Sequence, residues 1–271
     1  MKVGVILPIG DTDGPSGTSP SFAELAAFAK AVEDGGLDSG WVADHLFYRA
    51  KDGREFGLHD GLTMLTGVAA ITSRIELGTL VLCTSFRNAV QTAKLAAAFD
   101  VVSNGRLILG LGCGWHKPEY DAMGIPFDHR VSNFDESLQV IRRLLDGERV
   151  TFHGDHVQAD DAVLLPPPAR RIPILVAASK PRMLRLTARY ADSWNAAWFA
   201  MPDDRLRGEL ANLDAALADA GRPAAEVSRT VGLQIRDPEQ PPVPDPDPRP
   251  FAGSVEEVAD LLRAHRDLGF E

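Results

Sequence analysis

The sequence predicts an α/β fold, and within that class a TIM (β/α)8 barrel, from three observations. Short apolar runs alternate with longer segments of helical periodicity along most of the chain, the pattern of parallel strands joined by helices. These runs recur at even spacing, and no dinucleotide-binding glycine fingerprint follows the first of them, which favours a closed barrel over an open sheet. The chain has 271 residues, enough to bury the core of one such domain.

In order, residues 3–7 form an apolar run that reads as a first buried strand. Ser21 and Glu24 make a capping box that opens a helix with Phe22, Leu25, Phe28, Ala29 and Val32 on one stripe, stopped by Gly35 and Gly36. Residues 40–43 are the second strand, ending in Asp44 and His45, and a Gly-, Lys- and Asp-rich loop reaches Asp60 before a helix to Ala70. Residues 75–82 are the third strand, 90–102 an Ala-rich amphipathic helix, and 107–111 the fourth strand, which runs into a glycine-rich turn. An insertion over 115–173 holds a helix (135–145) and a hairpin about Gly154 and Asp155. The alternation resumes with a strand at 174–177, a helix at 181–190, a strand at 194–198, a helix at about 203–220 and a strand at 230–235. Seven prolines in residues 236–250 make an extended excursion. A second capping box, Ser254 with Glu257, opens a last helix ending at Gly269. That makes seven strands. The expectation is therefore a single barrel domain over 1–271 with its eighth strand absent, either because the sequence is clipped at its C-terminus or because the barrel closes by other means.

Composition narrows the function. With 28 Lys and Arg against 38 Asp and Glu, the formal charge is −10, so there is no basic footprint for nucleic acid or an anionic membrane surface. No apolar run approaches the ~18 residues of a membrane span, and the N-terminus is too short and too broken by Gly and Pro for a signal peptide. Two cysteines, Cys83 and Cys113, make no disulfide framework, so the expected compartment is a reducing cytoplasm.

In a barrel of this type chemistry sits at the C-terminal ends of the strands, which directs attention to particular residues. Asp44 and His45 close the second strand; the imidazole can hydrogen-bond a cofactor or pass a proton, or the pair can simply tie down a loop. Gly110, Gly112 and Gly114 let backbone approach a flat ligand, or mark a tight strand exit. Ala177, Ala178 and Ser179 end a buried strand, with Ser179 expected as the N-cap of the following helix and Pro181 in its first turn. Such a terminus offers amides and a hydroxyl to phosphate, as an ordinary capped helix also would. His116 and Tyr120 lie four apart, on one face of a helix, and either reach the same phosphate or decorate the surface. His153 and His156 lack a third ligand at metal spacing, so no metal is expected. The absence of HExxH and GxSxG patterns disfavours hydrolysis.

The runs WVADH (41–45), SRIELGTLVL, GRLILGLGCGWHKPEYDAMGIPFDHRVSNFDESL, PILVAASKPRMLRLTARYADSWN and SVEEVADLLRAHRDLGF are similar to the bacterial luciferase-like monooxygenase superfamily over nearly the whole chain. The resemblance implies a luciferase-like TIM barrel that binds FMN or the deazaflavin coenzyme F420. It implies a non-proline cis peptide near Leu82, Cys83 and Thr84, against the back of the cofactor ring. It places His45, beside Asp44, facing the ring, with Gly112, Cys113, Gly114 and Trp115 along it. Ala177, Ala178 and Ser179 match the cofactor-phosphate turn, and Trp194 is expected among the cofactor residues. Substrate would enter over the loop 47–60, against Phe47 and Tyr48, with Trp198 and Phe199 on another side and Gly53 and Gly57 letting the loop move as a lid. Relatives often form homodimers.

This chain departs from the pattern at several positions. Ala177 and Ala178 replace the Gly-Gly of many FMN enzymes and resemble deazaflavin reductases, which makes F420 the preferred cofactor. Arg87, Asn88 and Ala89 stand where Arg-His-Pro is common, and Ser193 precedes Trp194 in place of glycine. The sugar-phosphate dehydrogenase branch has an acid where Trp115 stands, which points away from glucose 6-phosphate. The leading expectation is an oxidoreductase that moves hydride to or from a small organic substrate. The alternatives are an FMN-dependent monooxygenase using reduced flavin and O2, and a non-catalytic flavin-binding protein.

Overall fold

The computed structural model describes residues 1–271 except 12, 14–16, 51, 237 and 240–249. The proline-rich excursion expected at 236–250 therefore lies mostly outside the described residues. The chain divides into two compact units, 2–174 and 175–271, Met1 being grouped with the latter.

The first unit runs β1 (Gly4–Ile6), α1 (Phe22–Asp34), β2 (Ser39–Val42), β3 (Phe47–Arg49), β4 (Glu55–Gly57), α2 (Gly61–Ile71), β5 (Glu76–Thr79), β6 (Leu82–Cys83), α3 (Ala89–Val102), β7 (Leu107–Gly112), α4 (Lys117–Met123), α5 (Arg130–Leu145), β8 (Val150–His153) and β9 (Gln158–Ala162). Strands β1, β2, β5 and β7 pair in that order, all parallel, and β6 also pairs parallel with β7. Parallel neighbours need a crossover, and the helices between them supply it. Two antiparallel hairpins, β3–β4 and β8–β9, stand outside this sheet.

Local chemistry accounts for these elements. Ser21 and Glu24 form both halves of the expected capping box on α1. The stripe of α1 is narrower than periodicity suggested: Leu25, Ala29 and Val32 are buried, whereas Phe22 and Phe28 stay largely exposed, Phe22 lying over Gly67 of α2. Gly78 in β5 leaves room for the Trp41 indole, which a Cβ there would strike. The Arg106 guanidinium donates to Ala69 O, Thr72 O, Thr72 Oγ1, Ile75 O and Ser103 O, tying the end of α2 to the start of β5. Helix α5 packs on α3 and buries Phe134, Leu138, Ile141, Leu144 and Leu145, each worth about 1.5–3 kcal/mol of apolar burial.

The second unit begins with β10 (Ile174–Ala177), whose first residue falls at the boundary, followed by α6 (Pro181–Tyr190), β11 (Ser193–Phe199), α7 (Asp204–Asp219), β12 (Ser228–Leu233), β13 (Ile235–Arg236), β14 (Phe251–Ala252) and α8 (Val255–Arg266). Strands β10, β11 and β12 pair in parallel, and β13 pairs parallel with β14. Trp194 is fully buried, and its ring stacks on Phe270 at 6.4 Å between centroids. Both halves of the Ser254–Glu257 capping box are made.

The fold class is the α/β, TIM-barrel-related one read from the sequence, with seven parallel strands of the alternating series among the described residues: β1, β2, β5, β7, β10, β11 and β12. Several details differ. The stretch expected as a loop after His45 folds into β3–β4, because Phe47, Tyr48 and Arg49 pair with Gly57, Phe56 and Glu55. The third strand breaks after Thr79 and resumes as β6, and a non-proline cis peptide, Leu80–Val81, lies as expected near Leu82, Cys83 and Thr84, immediately before them. A second one lies at Ala197–Trp198. Within the insertion, α5 starts five residues before its expected position, at Arg130 and not Asp135, and α4 precedes it.

Candidate functional site

The C-terminal ends of β2, β6 and β7, with the start of α4, bring most of the candidate residues of the first unit together. His45 follows β2. Its Nδ1 lies 2.9 Å from Glu119 Oε2, and the other oxygen of that carboxylate accepts the Leu46 amide at 2.6 Å. Glu119 is only 1% exposed. A buried carboxylate held by an amide accepts a hydrogen bond from the Nδ1–H of the ring, which leaves Nε2 as the open nitrogen. The Trp115 ring meets His45 edge-on at 5.8 Å.

Asp44 turns the other way. It forms a two-pronged pair with Arg87, at 2.7 and 2.8 Å, and accepts the Cys83 amide at 2.9 Å. Arg87 also reaches Asp60, the N-cap of α2. Asp44 thus joins β2 to β6.

Leu82, Cys83 and Thr84 are buried. Cys83 Sγ lies 3.1 Å from the Tyr120 hydroxyl, which donates to Cys113 O at 2.6 Å. Burial pushes the Cys83 thiol up to about 11 and raises Cys113 and Tyr120 as well. These groups stay protonated at neutral pH. They pin the β7 exit between β6 and α4. Neighbouring side chains fill the positions that side chains at this exit would take: a Cβ on Gly112 would meet Val81, and Gly114 has φ +71° with the Tyr120 hydroxyl and Cys83 Sγ where a side chain would go.

His116 is the N-cap residue of α4, so it and Tyr120 share a face as expected. Both are buried, however. His116 Nε2 accepts the Arg49 amide at 3.0 Å, joining α4 to the β3–β4 hairpin. Phe47 and Tyr48 lie on β3, and the Tyr48 ring sits 5.7 Å from Trp115 and 5.1 Å from His116.

Two residues of this region were not anticipated. Glu119 lies between His116 and Tyr120 in sequence, and a carboxylate in the first turn of a helix reads as an ordinary dipole partner. Arg130 opens α5 with its guanidinium 4.1 Å over the Phe127 ring and close enough to Cys113 to favour its thiolate. Its Nε is buried without a hydrogen-bond acceptor, and it pairs with no carboxylate among the described residues. A cation left in that state fits an anionic group.

In the second unit, Ala177, Ala178 and Ser179 form the turn from β10 to α6. Ser179 is not the cap: Lys180 occupies that position, its side chain makes no capping bond, and Pro181 starts the helix. The chain stays extended one residue longer than the Ser-x-Pro spacing suggested, which leaves Ser179 exposed. Trp194 supports the turn from behind, its indole N–H donating to Ala178 O at 2.7 Å. Trp198 is half-buried, and Phe199 is covered by Arg205, 3.7 Å from its ring.

The packed glycine exit of β7, the His45 imidazole held through Nδ1 and the Arg130 guanidinium, which has no carboxylate partner among the described residues, all belong to this part of the first unit. The model of the luciferase-like monooxygenase family matches residues 1–236. Over 235 residues the chain is 33% identical to the F420-dependent glucose-6-phosphate dehydrogenase of Kineococcus radiotolerans, covering 84% of this chain and 68% of that protein. Over 248 residues it is 30% identical to the pyrimidine monooxygenase RutA of Variovorax paradoxus, covering 87% of this chain and 64% of that one. Among solved structures, an F420-dependent secondary alcohol dehydrogenase in complex with an F420–acetone adduct matches with a TM-score of 0.81 over 99% of this chain and 91% of that one; at 18% identity this speaks to the fold alone. The chain spans between half and about two thirds of the length of the curated relatives it matches. No helix among the described residues is long and apolar enough to cross a membrane.

Proposed function

Because the chain belongs to the luciferase-like monooxygenase family, a family of flavin- and deazaflavin-dependent oxidoreductases and monooxygenases, we propose that it transfers hydride between coenzyme F420 and a small organic substrate. The observation that carries this reading is His45, held through Nδ1 by the buried Glu119 with Nε2 left open. When bound, the deazaflavin supplies the carbon that gives or takes the hydride.

The chain's own residues supply position and a proton route. His45 Nε2 accepts a proton from the substrate in oxidation and returns it in reduction, and Glu119 stabilises the charged ring meanwhile. The glycine exit of β7 is fixed by the Tyr120 contacts to Cys83 and Cys113, which sets the position of the strand end that the coenzyme ring would meet. Arg130 meets an anionic group of the coenzyme.

The test is coenzyme-dependent turnover. His45→Ala lowers kcat by about 10²-fold or more, the usual worth of a positioned acid–base group, while coenzyme affinity changes little. Unchanged turnover in that variant would remove His45 from the chemistry. A second reading, an FMN-dependent monooxygenase, draws on the likeness to the pyrimidine monooxygenase over 87% of the chain. Oxygen consumption with reduced FMN, and none with reduced F420, would favour it.

A further inference from the structure

We infer that the substrate of this site is a neutral, planar aromatic molecule that stacks on Trp115 beside His45. Calling it a substrate rests on the redox reading above; the binding surface itself does not.

Five aromatic or imidazole rings form a connected surface from His45 to the hairpin. Trp115 contacts His45, Tyr48 and His116, and Tyr48 in turn stacks on Phe56 at 6.3 Å with an interplanar angle of 28°. This cluster is not closed over. Trp115 is 60% exposed, Leu46 50% and Tyr48 36%. An indole of that size left open beside an imidazole nitrogen is a stacking platform, and exposed apolar surface grouped in this way marks a binding face.

Charge sets the class of ligand. On the hairpin and α4, Arg49 pairs with Glu55, Arg54 with Asp52 and Lys117 with Asp121. The described residues there offer an ionic ligand no unpaired cation and no exposed unpaired carboxylate, Glu119 being buried against His45, which favours a neutral ligand on the rings. Arg130, which pairs with no carboxylate among the described residues, lies on the Cys113 side. Trp115, expected along the cofactor ring, has an outward exposure and ring neighbours on β3 that suit it to the substrate side.

The experiment is equilibrium dialysis of the full chain, without coenzyme, against 2-naphthol, decahydro-2-naphthol and 2-naphthoate. These share a fused two-ring framework and differ in planarity and charge. Selective stacking predicts that 2-naphthol binds about fivefold to tenfold more tightly than either of the others. Trp115→Ala abolishes that preference and Trp115→Phe retains most of it. Circular dichroism identifies a variant that fails to fold, in which case the wild-type probe ranking alone decides. Equal binding of the saturated alcohol, tighter binding of the anion, or a preference that survives Trp115→Ala would overturn the inference. Coenzyme titration is a separate measurement: if neither F420 nor FMN binds while 2-naphthol does so selectively, the redox reading fails and the aromatic site stands.

Discussion

At His45, one carboxylate decides what the imidazole can do. Replacing Glu119 by Gln keeps the size and a hydrogen-bond acceptor but removes the charge that stabilises a protonated ring. The expected result is a kcat lower by about 10–100-fold, as for other orienting partners of functional histidines, with KM little changed; equal losses in both would mean a collapsed site. The cysteines give a second check. Cys83, pushed up to about 11 by burial, is almost entirely thiol at pH 8, so iodoacetamide should label the half-buried Cys113 well before Cys83, with peptide mapping as readout. Rapid labelling of Cys83 would refute its placement. In the second unit, His265 is fully buried; its Nδ1 donates to Leu261 O, Nε2 has no partner, and burial lowers its pKa. Unfolded, it takes a proton near its ordinary value; folded, it resists. Its contribution is therefore intact above about pH 6.5 and is lost as pH falls below that value. Melting temperatures between pH 7.5 and 5.5 should fall less steeply in His265→Leu than in the parent protein.

Among elements, those with strong local signals were legible and those set by tertiary contacts were not. The capping boxes at Ser21 and Ser254 announce α1 and α8 because both halves are local in sequence. Helix α6 follows from its apolar spacing and Pro181, and the β8–β9 hairpin from Gly154 and Asp155. The β3–β4 hairpin was hidden: Phe47, Tyr48 and Arg49 do not alternate, and their pairing is supported from outside by His116 and by Asp11, which accepts the Gly57 amide. Ser179 misled because Ser-x-Pro allows either residue before the proline to cap. The turn after β7 tests how an element end is fixed. Gly114→Ala would place a methyl group against Tyr120 and Cys83 at φ +71°, so a loss of about 1–3 kcal/mol in urea unfolding is expected. Tyr120→Phe removes only the hydroxyl bonds and should cost about 1 kcal/mol. If Gly114→Ala were neutral, the close approach at the β7 exit would be wrong.

For the whole molecule, the alternation of strands and helices carried the fold class, since parallel strands joined by helices leave the same periodic signature wherever they occur. The His45 position was legible for the same reason: it stands at a strand end. Glu119 and Arg130 were not, because their roles arise only when α4 and the start of α5 come against β2 and β7. The choice of coenzyme is the central claim. Fluorescence titration of the purified full chain, separately with F420 and with FMN under one set of conditions, tests it most directly. The account predicts saturable F420 binding at least about tenfold tighter than FMN, a difference of roughly 1.4 kcal/mol. Tighter binding of FMN, or no binding of either, would contradict it.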